Sequence, residues 1–223
     1  GTYKWTTPSL EDYRNPAWAF AEVLRSDTGG NRYGLTPDDE DRIDCARLLE
    51  FAAYCKSNKY YFDGVFDKKS TVQAALKDIC RVGKATPTIR DGKFSLVIDN
   101  KTSNDLPSAI ITERNSSDFN CTKVMRPYAH ALRVKFTNEE DFEYKQDEII
   151  VYNDGYGPPH TNLKQPERIE DVDLFGVTTS DHAYRIGRYM LACAELRPET
   201  MEVSMDWEHL VFERGDLVTV QHN

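Results

Sequence analysis

Two aspartates, Asp63 and Asp67, flank a glycine in the stretch FDGVFD. Carboxylates so paired could do acid/base work. Aspartate beside glycine also builds turns, and that is its commoner use. Asp181 and His182 open a helical stretch, DHAYRIGRYMLACAEL. Neighbours on a helix point about 100° apart, so these two do not converge on one substrate atom. Asp181 suits instead the positive end of the helix. Asp171 and Asp173 alternate with Val172 and Leu174, which places both on the polar face of one strand. His130, His160, His182, His209 and His222 show no H-E-x-x-H spacing. The chain has no phosphate-cradling glycine loop and no G-x-S-x-G elbow. The Gly/Pro loop GYGPPHTNLKQP could touch a ligand through HTNLK. Tyr60, Tyr61, Tyr152, Tyr156, Trp5 and Trp18 fall in or near strands and loops, where an exposed ring could contact a sugar or a protein. No residue is assigned a catalytic, cofactor-binding or metal-binding role, and no cofactor is expected.

Composition narrows the partners. The 223 residues carry a formal charge of −9. Phosphate binding needs a basic face, so sequence-specific nucleic-acid binding is not expected. No apolar run reaches the roughly 18–20 residues a membrane helix needs, and no leader sequence is visible. The five cysteines are odd in number and lack a C-x-x-C pair. Cys45, Cys55, Cys80 and Cys193 lie within helical patterns and read as buried, reduced thiols of a protein made in a cytosol.

The elements that must position these groups define an α+β chain of small mixed sheets with packed helices. A first module spans 1–99. Asn15 and Pro16 start a helix over 16–26. Thr36-Pro37 and an acidic first turn start a second over 37–56, with Ile43, Ala46, Leu49 and Ala53 as its stripe. Ser70 and Gln73 make a capping box for a third over 71–82. YYFDGVFD reads as extended. ATPTIRDGKFSLVID is a hairpin over 86–98 that turns at Asp91-Gly92. Residues 100–118 are polar and turn-rich and read as a linker loop. The second module spans 119–223. Leu132, Val134 and Phe136 alternate with Arg133 and Lys135 as a half-buried strand. EIIVYND, RIEDVDLFGV and TMEVSMDW are further strands, and a long helix covers 180–196. Arg214-Gly215-Asp216 turns into a last strand, Leu217–Val220, expected to pair near Met201–Met205. The chain stops as it enters that strand, so it reads as a piece of a longer protein, truncated at its C-terminus.

Several stretches resemble one family across nearly the whole chain. They are NPAWAFAEVLRSDTGGNRYGL, FDGVFDKKSTVQAALKDICRVGKATPTIRDGKFSLVID and LFGVTTSDHAYRIGRYMLACAELRPETMEVSMDWEHLVFERGDLVTVQH. The family is the tail tip attachment, or host specificity, protein J of lambda-like siphophages, also described as putative phage tail protein. The resemblance implies a virion component of phage or prophage origin. It implies a homotrimeric hub, in contact with other tail tip proteins, that closes the distal tail tube. That hub would lead into a central fibre whose receptor-binding part lies C-terminal to the matched portion. Arg32-Tyr33-Gly34, Asp91-Gly92 and Gly215-Asp216 carry the match as structural motifs, and no enzymatic activity is implied. Two other readings stay open: a carbohydrate- or receptor-binding module, and a cell-wall hydrolase using Asp63 or Asp67.

Overall fold

The computed structural model describes residues 13–25, 42–67, 69–100, 107–123, 128–140, 144–159, 161–207 and 212–221. It is α+β: four helices and nine strands among the described residues, with the strands in four small sheets. The chain divides into two compact units. The first comprises 1–99, 134–149 and 172–186; the second comprises 100–133, 150–171 and 187–223.

In the first unit, α1 (Pro16–Arg25) begins where expected. Asn15 accepts from the Ala17 N–H at 3.0 Å and donates its amide to the Ala52 carbonyl at 2.9 Å, so one buried side chain both caps α1 and ties it to α2 (Cys45–Asn58). The helix expected over 37–56 does not include residues 42–44: α2 starts at Cys45. Asp44 is its N-cap, accepting from Arg47, and Ile43 makes a bridge to Phe94 rather than joining a helical stripe. The physical reason is competition. Asp44 donates its backbone N–H to the Phe94 carbonyl and takes the Ser95 hydroxyl at 2.9 Å, so the chain there is held as an edge segment. Residues 37–41 and Arg32-Tyr33-Gly34 lie outside the described residues. The helix runs two residues past 56, to Asn58, and Lys59 closes it in a left-handed conformation, φ 53°.

Helix α3 (Val72–Val82) is capped by Thr71, whose hydroxyl accepts from the Ala74 N–H at 3.2 Å. The expected Ser70–Gln73 box is therefore not what caps the helix: with Thr71 as N-cap the third helical residue is Ala74, which has no polar side chain to reach back. Beyond it, Gly83 lets the chain pass Phe51; a Cβ there would lie 2.5 Å from the ring. Strands β1 (Ala85–Arg90) and β2 (Lys93–Ile98) form the expected hairpin. Asp91 and Gly92 both have positive φ, and Ile89 faces Phe94. Phe20, Leu24, Phe51, Cys55, Leu76 and Ile79 fill the space between the three helices and the hairpin. At about 25 cal/mol per Å² of buried apolar surface, this packing is the main stabilising term of the unit.

The segment 60–67 is extended but pairs in no ladder. Its backbone is satisfied singly: the Phe62 N–H donates to Arg14 O and the Asp63 N–H to Gly176 O. Val134, Phe136, Leu174, Val177, Ala183 and Ile186 add further buried apolar residues to this unit.

Strands β5 (Ala131–Thr137), β6 (Gln146–Tyr152) and β7 (Ile169–Asp173) form a sheet in the order β6-β5-β7. Central β5 shows the expected alternation, with Leu132, Val134 and Phe136 buried and Arg133 and Lys135 half-buried. These three strands and α4 (Ser180–Leu196) each pass from one unit into the other.

In the second unit, β3 (Ala109–Thr112) lies inside the stretch read as a linker loop. It pairs in parallel with β9 (Val218–Gln221), so the last strand does not pair with Met201–Met205. Strand β8 (Glu199–Ser204) is instead taken by β4 (Ser117–Lys123) in an antiparallel ladder. Thirteen residues separate β8 from β9, too many for a tight turn to fix the hairpin register. AIIT supplies β-branched residues to an otherwise polar loop and wins the pairing. The Ser108 N–H donates to Leu217 O at 2.7 Å and starts it.

Candidate functional site

The first unit holds two polar clusters. In the first, Arg14 lies just before α1, Asp63 in the extended segment after α2, Glu139 after β5, and Thr178 before α4. The Arg14 guanidinium grips Asp63 with both forks, Nε to Oδ1 at 2.9 Å and Nη2 to Oδ2 at 2.6 Å. Its Nη2 also pairs with Glu139 Oε2. The Thr178 hydroxyl lies 3.1 Å from Asp63 Oδ2 and 2.9 Å from Glu139 Oε2. Its single proton serves one carboxylate at a time while its lone pair accepts from Arg14. The guanidinium also lies 5.0 Å from the Tyr61 ring centroid. The hydrogen bond to Asp63 holds the guanidinium well above the usual arginine range, against the opposing effect of burial.

This is an ion-pair knot. One guanidinium pairs with both carboxylates, bidentate to Asp63 and through Nη2 alone to Glu139, so one negative charge is left over. Asp67 is exposed and takes no part in it, so the expected Asp63/Asp67 pair is not assembled. We expect Arg14→Leu to cost about 2 kcal/mol, because two carboxylates then face each other without their cation; their solvent exposure keeps the loss below that of a fully buried pair. Urea unfolding of R14L, E139L and the double variant checks this. If the loss in R14L/E139L equals the sum of the losses in R14L and E139L, the knot does not couple these residues.

The second cluster surrounds His182, which is 1% exposed on α4. Its Nε2 lies 2.8 Å from the Val82 carbonyl, and the neutral ring donates that proton. The ring stacks on Tyr60 at 5.0 Å, and Arg185 lies over the same tyrosine at 4.9 Å. Arg185 caps the end of α2 by donating to Asn58 O, and it pairs with Asp181 at 3.0 Å. Burial pushes the His182 pKa down to about 4, with the Val82 carbonyl opposing and Arg185 assisting. Asp181 therefore serves its helix, as the sequence suggests, while His182 is a core residue.

The other sequence candidates scatter. Asp171 is exposed and lies 3.5 Å from Arg133 across β7 and β5. His130 stacks on Tyr156 at 4.2 Å and accepts from the Glu167 N–H. The loop carrying HTNLK folds on itself: Gly157 N–H donates to Lys164 O and Lys164 N–H to Gly155 O. His160, His209, His222 and Trp5 lie outside the described residues. Tyr60 is buried, Tyr61 lies against the Arg14 guanidinium and Tyr156 stacks on His130. Cys55 and Cys80 are buried thiols, with Cys80 pushed up to about 12 by burial. Cys45 and Cys193, expected inside, are half-exposed on the outer flanks of their helices, and Cys121 is exposed on β4. Among the described residues no group of three or more His, Cys, Asp or Glu could hold a metal ion, and no helix is long and apolar enough to cross a membrane. Sequence reasoning missed Arg14, Glu139 and Thr178. The only local signal was a charged residue directly before a helix cap, and that signal is too common to use.

The fold and its polar clusters thus define an α+β protein whose interior charges serve to join segments distant in the chain. It belongs to the family described as "Putative phage tail protein", which residues 71–223 match. Among curated proteins none matches. A solved structure similar to the chain is "The crystal structure of the tail protein from Neisseria meningitidis MC58", at 14% identity and a TM-score of 0.49. The match covers 81% of this chain and 56% of that one, so the chain corresponds to little more than half of that neighbour's length.

Proposed function

We propose that the chain is a structural part of a phage tail tip. In this reading it belongs to the hub of a host-attachment protein that closes the distal tail tube and leads to the receptor-binding central fibre. It acts without enzymatic activity, in a homotrimer, beside other tail tip proteins, in a virion from phage or prophage. The observation that carries the reading is membership of the tail protein family over residues 71–223. Two features support it. Asp63, the best hydrolase candidate, is engaged by Arg14. The two-stranded sheets of the second unit have strands that each pair with one partner among the described residues, which leaves edges for neighbouring chains. A ring of three copies would use a heterologous interface that closes on itself.

Immunogold labelling of virions with antibody raised against this chain tests the placement. Label at the distal end of the tail is expected. Label along the tube or at the head–tail junction would overturn it, whereas hydrolysis of purified cell wall by the chain would overturn the non-enzymatic part alone.

A further inference from the structure

Strand β8 alternates. Thr200, Glu202 and Ser204 share one face, while Met201 and Val203 share the other and Met205 continues it. Across the ladder, Cys121 lies opposite Met201. Such alternation belongs to a strand with one covered face, yet Met201 is 46% exposed and Cys121 is exposed. Past Val203 this face opens into a cleft of about 510 Å³ lined by Ile111, Val203, Met205, Phe212 and Val218, with Glu213 and Asp216 as its charged members. The Asp216 carboxylate accepts from the Glu213 N–H at 2.9 Å, so the turn holds it in place. The cleft is therefore apolar in its lining and negative in its charge. Beside it, β3 and β9 pair only with each other among the described residues.

We propose that this face of the second unit binds an extended segment of another protein in which apolar side chains alternate with lysine or arginine. Alternate residues of an extended chain point the same way, matching the spacing of Met201, Val203 and Met205. An open strand edge beside an apolar cleft is the geometry of strand addition. Charge decides between a foreign segment and a second copy. An isologous contact would bring the Glu213 and Asp216 of each copy to one cleft region, in a chain already at −9. A basic segment meets the same carboxylates favourably.

The test uses two fluorescent eight-residue peptides, one alternating valine with lysine and the other valine with glutamate, titrated against the full chain. The lysine peptide is expected to bind at least about tenfold more tightly and to weaken as salt is raised. Glu213→Gln with Asp216→Asn is expected to reduce its affinity about tenfold, since asparagine keeps the turn's acceptor. Val203→Asn and, separately, Met201→Gln on the exposed rim remove apolar contact without adding charge and are expected to weaken it with the circular dichroism unchanged. Equal affinity for both peptides, or binding by neither, overturns the proposal. So does a concentration-dependent dimer that M201Q abolishes, which would assign the face to a second copy.

Discussion

Gly176→Ala is expected to lose on the order of 3–4 kcal/mol, the largest effect of any single methyl group added to the first unit. Gly176 has φ +80°, a conformation that costs an L-residue about 1–2 kcal/mol. A Cβ there would also lie 2.4 Å from Phe62 Cε2. Phe62 is buried, with Phe175 edge-on at 5.8 Å and Phe66 stacked at 6.0 Å, so the ring cannot retreat without disturbing two others. Overpacking of this kind adds about 1–3 kcal/mol. Gly92→Ala is the control: φ is +74° and nothing lies within 4 Å, so only the backbone cost of about 1 kcal/mol applies. Urea midpoints of the two variants separate the contributions, and Phe62→Leu in the G176A background should recover part of the loss. Equal midpoints for G176A and G92A would show that the ring yields freely.

The second large effect is acid loss of stability through His182. In the fold its pKa is lowered to about 4, from 6.5. Above pH 6.5 both folded and unfolded chains hold a neutral ring, and the full stability is present. Between pH 6.5 and 4 the unfolded chain binds a proton that the folded one refuses, so stability falls as pH falls. Below about 4 both are protonated and this contribution is spent. The shift of about 2.5 units corresponds to roughly 3 kcal/mol. Asp181 and Asp63 act on the ring in the opposite sense and Arg185 in the same sense, but burial dominates. His182→Gln, which keeps a donor for the Val82 carbonyl, should flatten the curve across this window. Carboxylates titrate near its lower end, so the quantity to read is the difference between the two pH profiles. Identical slopes in wild type and H182Q would sink the assignment.

Local signals in the sequence foretold local structure. The hairpin at Asp91-Gly92 and the alternation in β5 follow from turn chemistry and a period of two, and α4 from a continuous apolar stripe. The start of α2 was misread because Ile43 fits a helical stripe as well as it fits a bridge to Phe94; the tertiary partner decides. The pairing of β9 was misread for the same reason. β8 is its nearest strand along the chain, but β3 supplies a more branched edge. The Arg14 knot was illegible because its four members come from four separate segments and none sits in a recognisable spacing. His182 was legible as a helix residue and not as a buried one, since its neighbours Tyr60 and Val82 are roughly 100 residues away, beyond any local pattern.

The parallel ladder of β3 with β9 has a consequence for synthesis. On a ribosome adding about 5–20 residues per second, β9 emerges on the order of 5–20 seconds after β3. Until then AIIT is an unpaired apolar strand. The first unit waits too, because its 134–149 and 172–186 segments follow α1, α2, α3 and the hairpin. Neither unit can close vectorially. Folding of this stretch is therefore of high contact order, and its slow step is the meeting of β3 with β9 rather than the formation of any helix.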